Sequence, residues 1–284
     1  LLGPGISLDN HVALLEEMQN REELQLFVTP SNSLEQLVFG IQPTTYDDGI
    51  VSGNDRPDFF GNPKMRQAVA TCLNREKVVE SVLHGFSAVS STYVSLEHPL
   101  YLEDAPIFDF DVDTGAELLS ALGWKDIDND PATPRIAFQV KNVLDGTRLV
   151  LRYITTTAIQ RRQVSEILVQ SLTECGIGVD VSYLSLDEFY APGPQGLLFG
   201  RDFDLAQLAM GTDSFQPPCD WYMADQLPTS DNDWQAPNLG GYSNADFDTA
   251  CLDAQLALPE DIDFREAYMT TQTIFAKDLP TVPL

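Results

Sequence analysis

RLVLRYITTTAIQRRQVSEILVQSLTECGIGVDVSYLS, residues 148–185, decides the fold. Its first seven residues are rich in β-branched, aromatic and aliphatic side chains and read as a strand. Residues 157–176 read as a long helix, with Ile159, Val164, Ile167, Leu168 and Leu172 at the spacing of one face. IGVDVSYLS then alternates with the period of two that marks a strand. Strand, helix and strand in succession argue for an α/β or α+β chain with a mixed sheet.

The rest of the sequence continues the interleaving. Residues 9–24 predict a helix capped by Asp9 or Asn10, with Val12, Leu14, Leu15 and Met18 as its apolar stripe. Residues 24–30 and 34–42 predict two strands, and the Gly-, Asp- and Pro-rich run that follows predicts a loop. Asn62 and Pro63 open a helix, Asn74 caps another that Gly85 ends, and a third, residues 111–124, closes at Gly123. RIAFQV, residues 135–140, predicts a strand, and so does FDLAQLAM, residues 203–210. A short helix near 186–191 breaks at Pro192 and Pro194. Two helices and a strand at TVPL complete the chain.

Composition excludes several classes. The 284 residues carry 43 acidic and 16 basic side chains, a net charge of −27, which repels nucleic acid and anionic lipid. No apolar run approaches the roughly 20 residues that span a bilayer. The opening LLGPGISLDN lacks the basic start and apolar core of a signal peptide, so the sequence reads as an excised or processed piece. The four cysteines, Cys72, Cys175, Cys219 and Cys251, form no CxxC and match no zinc spacing; an even count suits an oxidising compartment, and three pairings are open.

Catalytic motifs are scarce. GxSxG, HExxH and the P-loop are absent, and the three histidines, His11, His84 and His98, sit in helix or loop contexts. DIDND, with Asp126, Asp128 and Asp130, resembles the start of a calcium loop. Pro131 takes the place of the loop glycine and Ala137 that of the bidentate acid, which favours a plain Asx turn. No cofactor is expected.

Six segments in order resemble the family 5 extracellular solute-binding proteins, which include oligopeptide- and dipeptide-binding components of ABC importers. They are DFFGNPKMRQAVATCLNREKVVESVLHG, DVDTGAELLSALGWKD, QSLTECGIGVDVSYLSLDEF, RDFDLAQLAMGTD, GYSNADFDTAC and FAKDLPTVPL. The resemblance implies a periplasmic-binding-protein-like architecture of two α/β lobes that close about a hinge. It assigns residues 1–27 to the end of the first lobe and residues 28–284 to the second.

The resemblance also implies a site. Asp213 falls where oligopeptide binders accept the ligand's α-ammonium group, a charge-assisted hydrogen bond. Met210 stands where peptide binders often carry Trp, and Gln207 where an oligopeptide binder carries Arg; both departures loosen the case for a peptide. Phe215, Trp221, Tyr222 and Trp234 in the neighbouring loops supply aromatic surface, for packing or for ligand. Cys219 in the loop after the ligand strand is expected to pair with Cys251, and Cys72 with Cys175. The implied protein is a monomeric, non-enzymatic binder of a small peptide or other amine-bearing solute. It is extracellular or periplasmic, membrane-anchored at full length, and delivers to ABC permease subunits. The alternatives are a hydrolase working through two carboxylates, such as a glycosidase, and a sensory module that does not feed transport.

Overall fold

The computed structural model describes residues 8–27, 33–41, 56–211 and 215–284. Helix α1 (Leu8–Asn20) and strand β1 (Ser33–Phe39) come first, followed by α2 (Pro63–Thr71), α3 (Arg75–Ser81) and α4 (Val112–Ala121). A two-stranded ribbon, β2 (Trp124–Lys125) and β3 (Ile136–Ala137), leads to β4 (Val150–Thr156), α5 (Ile159–Glu174) and β5 (Gly178–Leu184). The chain ends through α6 (Leu186–Phe189), β6 (Leu205–Gly211), α7 (Ala245–Leu256), α8 (Ile262–Asp278) and β7 (Thr281–Pro283).

Five strands form one sheet in the order β5-β4-β6-β1-β7. β4 runs parallel to β5 and β6, whereas β1 runs antiparallel to β6 and β7, so the sheet is mixed as expected. Alternation along the strands divides the core in two. Leu37, Tyr153 and Leu205 pack with Leu168 and Leu172 of α5 on one face. Val38, Ile154, Ala206 and Leu208 pack with Phe189, Leu198 and Phe203 on the other. A third cluster, with Tyr222, Phe247, Tyr268 and Phe275, lies with α7 and α8.

Local chemistry places the helix starts. Asn62 accepts from the Lys64 N–H with Pro63 at the first turn, Asn74 accepts from the Lys77 N–H, and Asp111 accepts from the Thr114 N–H. Two buried arginines then tie α2 and α3 to the far end of the chain. Arg66 donates to the carbonyls of Asp278, Leu279 and Phe60. Arg75 donates to those of Ser90, Pro283 and Phe108. Burial pulls both guanidinium pKa values down to about 10. Both disulfides form, Cys72–Cys175 between the ends of α2 and α5 and Cys219–Cys251 between the turn at 219–222 and α7.

Several expectations need correction. α1 runs over Leu8–Asn20, so Asp9 and Asn10 fall within its bounds; Leu14 is exposed, not part of a buried stripe. Residues 24–27 form no strand and Phe27 is 76% exposed, while 28–30 lie outside the described residues. Of 135–140 only Ile136–Ala137 is strand, because Gln139 adopts a left-handed φ of 56° that turns the chain away. α3 stops at Ser81, before His84 and Gly85, both at positive φ. Ile159 is exposed at the start of α5.

Candidate functional site

Parallel β4, β5 and β6 all finish at one end of the sheet, where β1 begins with Ser33 opposite Gly211. Beside this end lies an open groove of about 610 Å³, lined by Tyr190, Leu198, Phe199, Leu208, Met210 and Trp234 among others. Met210 and Leu208 reach it because they share the strand face that carries Ala206. Gln207 is three residues from Met210 and so points to the opposite face, where it is fully buried. Met210 therefore lines the groove, whereas Gln207 lies on the opposite face of the sheet.

Gln207 is held in a polar network. Its Oε1 accepts from the Tyr153 hydroxyl at 2.8 Å, and its Nε2 donates to Glu35 Oε1 at 2.9 Å. Glu35 is ion-paired with Arg161 at 2.9 Å, and Arg161 also donates to Thr156 Oγ1 at 3.1 Å. Burial alone lowers the Arg161 pKa, but the hydrogen bond and charge of Glu35 outweigh it and raise the group above its ordinary value. Burial, and then the Glu35 charge, push the Tyr153 phenol up. A cation thus lies close to Gln207, supplied by α5 and not by β6. This cation escaped the reading of the sequence, and one local signal could have found the arginine, though not its partner. Arg161 sits in the first turn of α5, where the helix dipole disfavours positive charge, so its placement asks for an acidic partner.

The remaining residues divide. Trp221 shares the lining of a small cavity with Met210, Gln36 and Tyr222. Tyr222 is buried and donates to Gln36 Oε1 at 2.9 Å, while Gln36 Nε2 donates to Met210 Sδ at 2.7 Å. Tyr222 is therefore core, as are Cys219 and Cys251. Phe215 is 61% exposed, and Asp213 lies outside the described residues. Asp220, beside Trp221, has its carboxyl pKa raised by burial.

The DIDND segment is a series of Asx turns. Asp126 accepts from the N–H groups of Asp128 and Asn129, Asp128 from that of Asp130, and Asp130 from that of Ala132. Each carboxylate thus accepts a backbone N–H of its own turn. Among the described residues no group of three His, Cys, Asp or Glu side chains could hold a metal ion. No helix among them is long and apolar enough to cross a membrane.

Known proteins share this architecture. The family model described as bacterial extracellular solute-binding proteins, family 5 middle, matches residues 10–231. The oligopeptide-binding protein AppA of Bacillus subtilis is 24% identical over 233 residues, 81% of this chain and 39% of that protein. The peptide transport periplasmic protein SapA of Salmonella typhimurium is 24% identical over 238 residues, 83% of this chain and 38% of that protein. Among solved structures, the oligopeptide-binding protein of Thermus thermophilus with a pentapeptide superposes with a TM-score of 0.74 at 20% identity. That match covers 90% of this chain and 41% of the other. The chain spans about two fifths of the length of the curated relatives it matches. Members of the family are extracellular or periplasmic binding proteins, not enzymes, and the matched segment takes in most of α1, α2 to α6, β6 and the groove-lining residue Met210. With a family match over most of its length, this chain belongs to the bacterial extracellular solute-binding proteins, family 5.

Proposed function

We propose that this chain forms one wall of a solute-binding cleft whose other wall is a second lobe, and that the assembled protein captures a peptide-like, amine-bearing solute for ABC import. The observation that carries the proposal is the groove at the end of β6, with Met210 and Trp234 on its wall and Asp213 two positions beyond Gly211. Ligands of open α/β sheets bind beyond the carboxyl ends of parallel strands, and this groove lies there. The names of the relatives, an oligopeptide-binding and a peptide-transport protein, support a peptide.

In this reading residues 1–27 close the first lobe and residues 28–284 build the second. The two lobes close about a hinge on the solute, Asp213 accepts its ammonium group, and the closed monomer docks on permease subunits. The protein performs no chemistry on the solute and works outside the cytoplasmic membrane, held there by an anchor. One lobe supplies part of the desolvation, so the isolated wall binds weakly.

A thermal-shift series on the protein with both lobes tests this against di- to pentapeptides. A ligand at 100 times its Kd should stabilise the native state by about 2.7 kcal/mol. Asp213→Ala should remove that shift. Peptides that leave the melting temperature unchanged would overturn the peptide reading, and an undiminished shift in Asp213→Ala would overturn the role of Asp213.

A further inference from the structure

Trp234 is held in an unusual way. It follows Asp233, and both adopt left-handed φ values, 60° and 52°. Two consecutive non-glycine residues in that region are sparsely populated and persist only where surrounding contacts impose them. Those contacts are present. The Trp234 N–H donates to the Thr229 carbonyl at 2.8 Å, the Gln235 N–H donates to the Asn232 carbonyl at 2.9 Å, and Thr229 and Asn232 cap the turn reciprocally. The indole lies against Gly193, where a Cβ would stand 2.5 Å from Cδ2 and 2.6 Å from Cε3. Glycine there lets the ring rest on the backbone.

The remainder of the indole lines the groove. Tyr190, Leu198, Phe199 and Met210 stand on the same wall, and Asp233 is the one charged residue among the lining side chains described. The cation of the network beneath, Arg161, interacts with Tyr190 and is already bound by Glu35. An anionic group placed in the groove would lose its water, meet no free cation among the described lining residues and face the Asp233 carboxylate. An apolar group would exchange water for aromatic and aliphatic surface. The volume of about 610 Å³ admits a side chain of any size.

We infer that this groove is a specificity subsite for an apolar side chain of the bound solute, and that Trp234, propped on Gly193, is its stacking platform. The inference rests on the reading of this face as the ligand wall and names the side-chain class it prefers.

The indole N–H resonances of the 284-residue chain test it directly, with Trp124 and Trp221 as internal references. N-acetyl-phenylalaninamide and the uncharged N-acetyl-leucinamide should shift the Trp234 resonance in a saturable manner. The amide of N-acetyl-aspartate should bind roughly tenfold or more weakly, since a buried apolar side chain is worth that much or more. Gly193→Ala, which displaces the ring, should weaken the phenylalanine probe to the level of the aspartate probe, while the Trp124 and Trp221 resonances stay in place. Equal shifts by the acidic and apolar probes, equal shifts at all three indoles, or unchanged binding in Gly193→Ala would overturn the subsite. The peptide reading is judged separately, by thermal shift in the two-lobe protein. Selective probe binding at Trp234 in a protein that takes no peptide would keep the subsite and discard that reading.

Discussion

Gly115 of α4 lies directly against Cys72: a Cβ on Gly115 would stand 2.4 Å from Cys72 Sγ and 3.1 Å from Cys175 Sγ. The helix gives up side-chain packing at this position so that the disulfide can pass. Gly115→Ala should therefore destabilise the oxidised protein by about 1–3 kcal/mol, the cost of overpacking. In a Cys72→Ala, Cys175→Ala background the same substitution should be neutral or stabilising by up to about 1 kcal/mol, the helix preference for alanine. Urea unfolding of the four proteins measures the coupling, and an equal cost in both backgrounds would count against the contact.

The two disulfides should differ in worth. Cys219–Cys251 closes 32 residues and Cys72–Cys175 closes 103. Chain entropy then predicts about 4 kcal/mol for the first and about 5 kcal/mol for the second. Serine pairs at each bridge, compared by urea midpoint, check the order.

Arg75 should be among the least replaceable residues in the chain. Its guanidinium holds three carbonyls, of Ser90, Pro283 and Phe108, drawn from three separate segments. Arg75→Ala should cost about 3 kcal/mol or more, since each orphaned buried acceptor costs about 1–3 kcal/mol. Arg75→Lys should recover little, because an ammonium cannot reproduce the planar fork. Denaturant unfolding of both variants reads the difference.

Asp220 provides a pH test. Burial raises its pKa above the unfolded value, so the native state binds its proton more tightly than the unfolded state. This group therefore costs stability at neutral pH, and the cost disappears as the pH falls through its folded pKa to the unfolded one. Asp220→Asn should raise the melting temperature at pH 7, and the gain should shrink steadily on acidification into the ordinary carboxylate range. A gain that is independent of pH would refute the assignment.

Much of this architecture was legible in the residues. The βαβ stretch at 148–185 carries its periodicities openly, and the caps at Asn62, Asn74 and Asp111 announce their helices. What failed was what tertiary context decides. Phe138 lies in an apolar run but is 54% exposed, because the chain turns left-handed at Gln139. Gln207 and Met210 share a motif yet occupy opposite faces of β6, a consequence of strand alternation that the motif conceals. The ion pair between Arg161 and Glu35 joins residues 126 positions apart, and sequence spacing carries no trace of such a meeting. Trp234 could be named as an aromatic near the site, but its perch on Gly193 depends on a loop 41 residues earlier in the chain.

The place of β1 between β6 and β7 bears on how the protein is made. A ribosome delivers β1 long before its two neighbours, at residues 205–211 and 281–283. During that interval the strand has neither of its hydrogen-bonding flanks, and Arg66 and Arg75 wait for carbonyls at 278–279 and 283. Contacts of such long range close slowly. The pairing of β1 therefore waits until residues 281–283 have emerged, and until then a chaperone or export factor that recognises unfolded polypeptide can reach its unpaired edges.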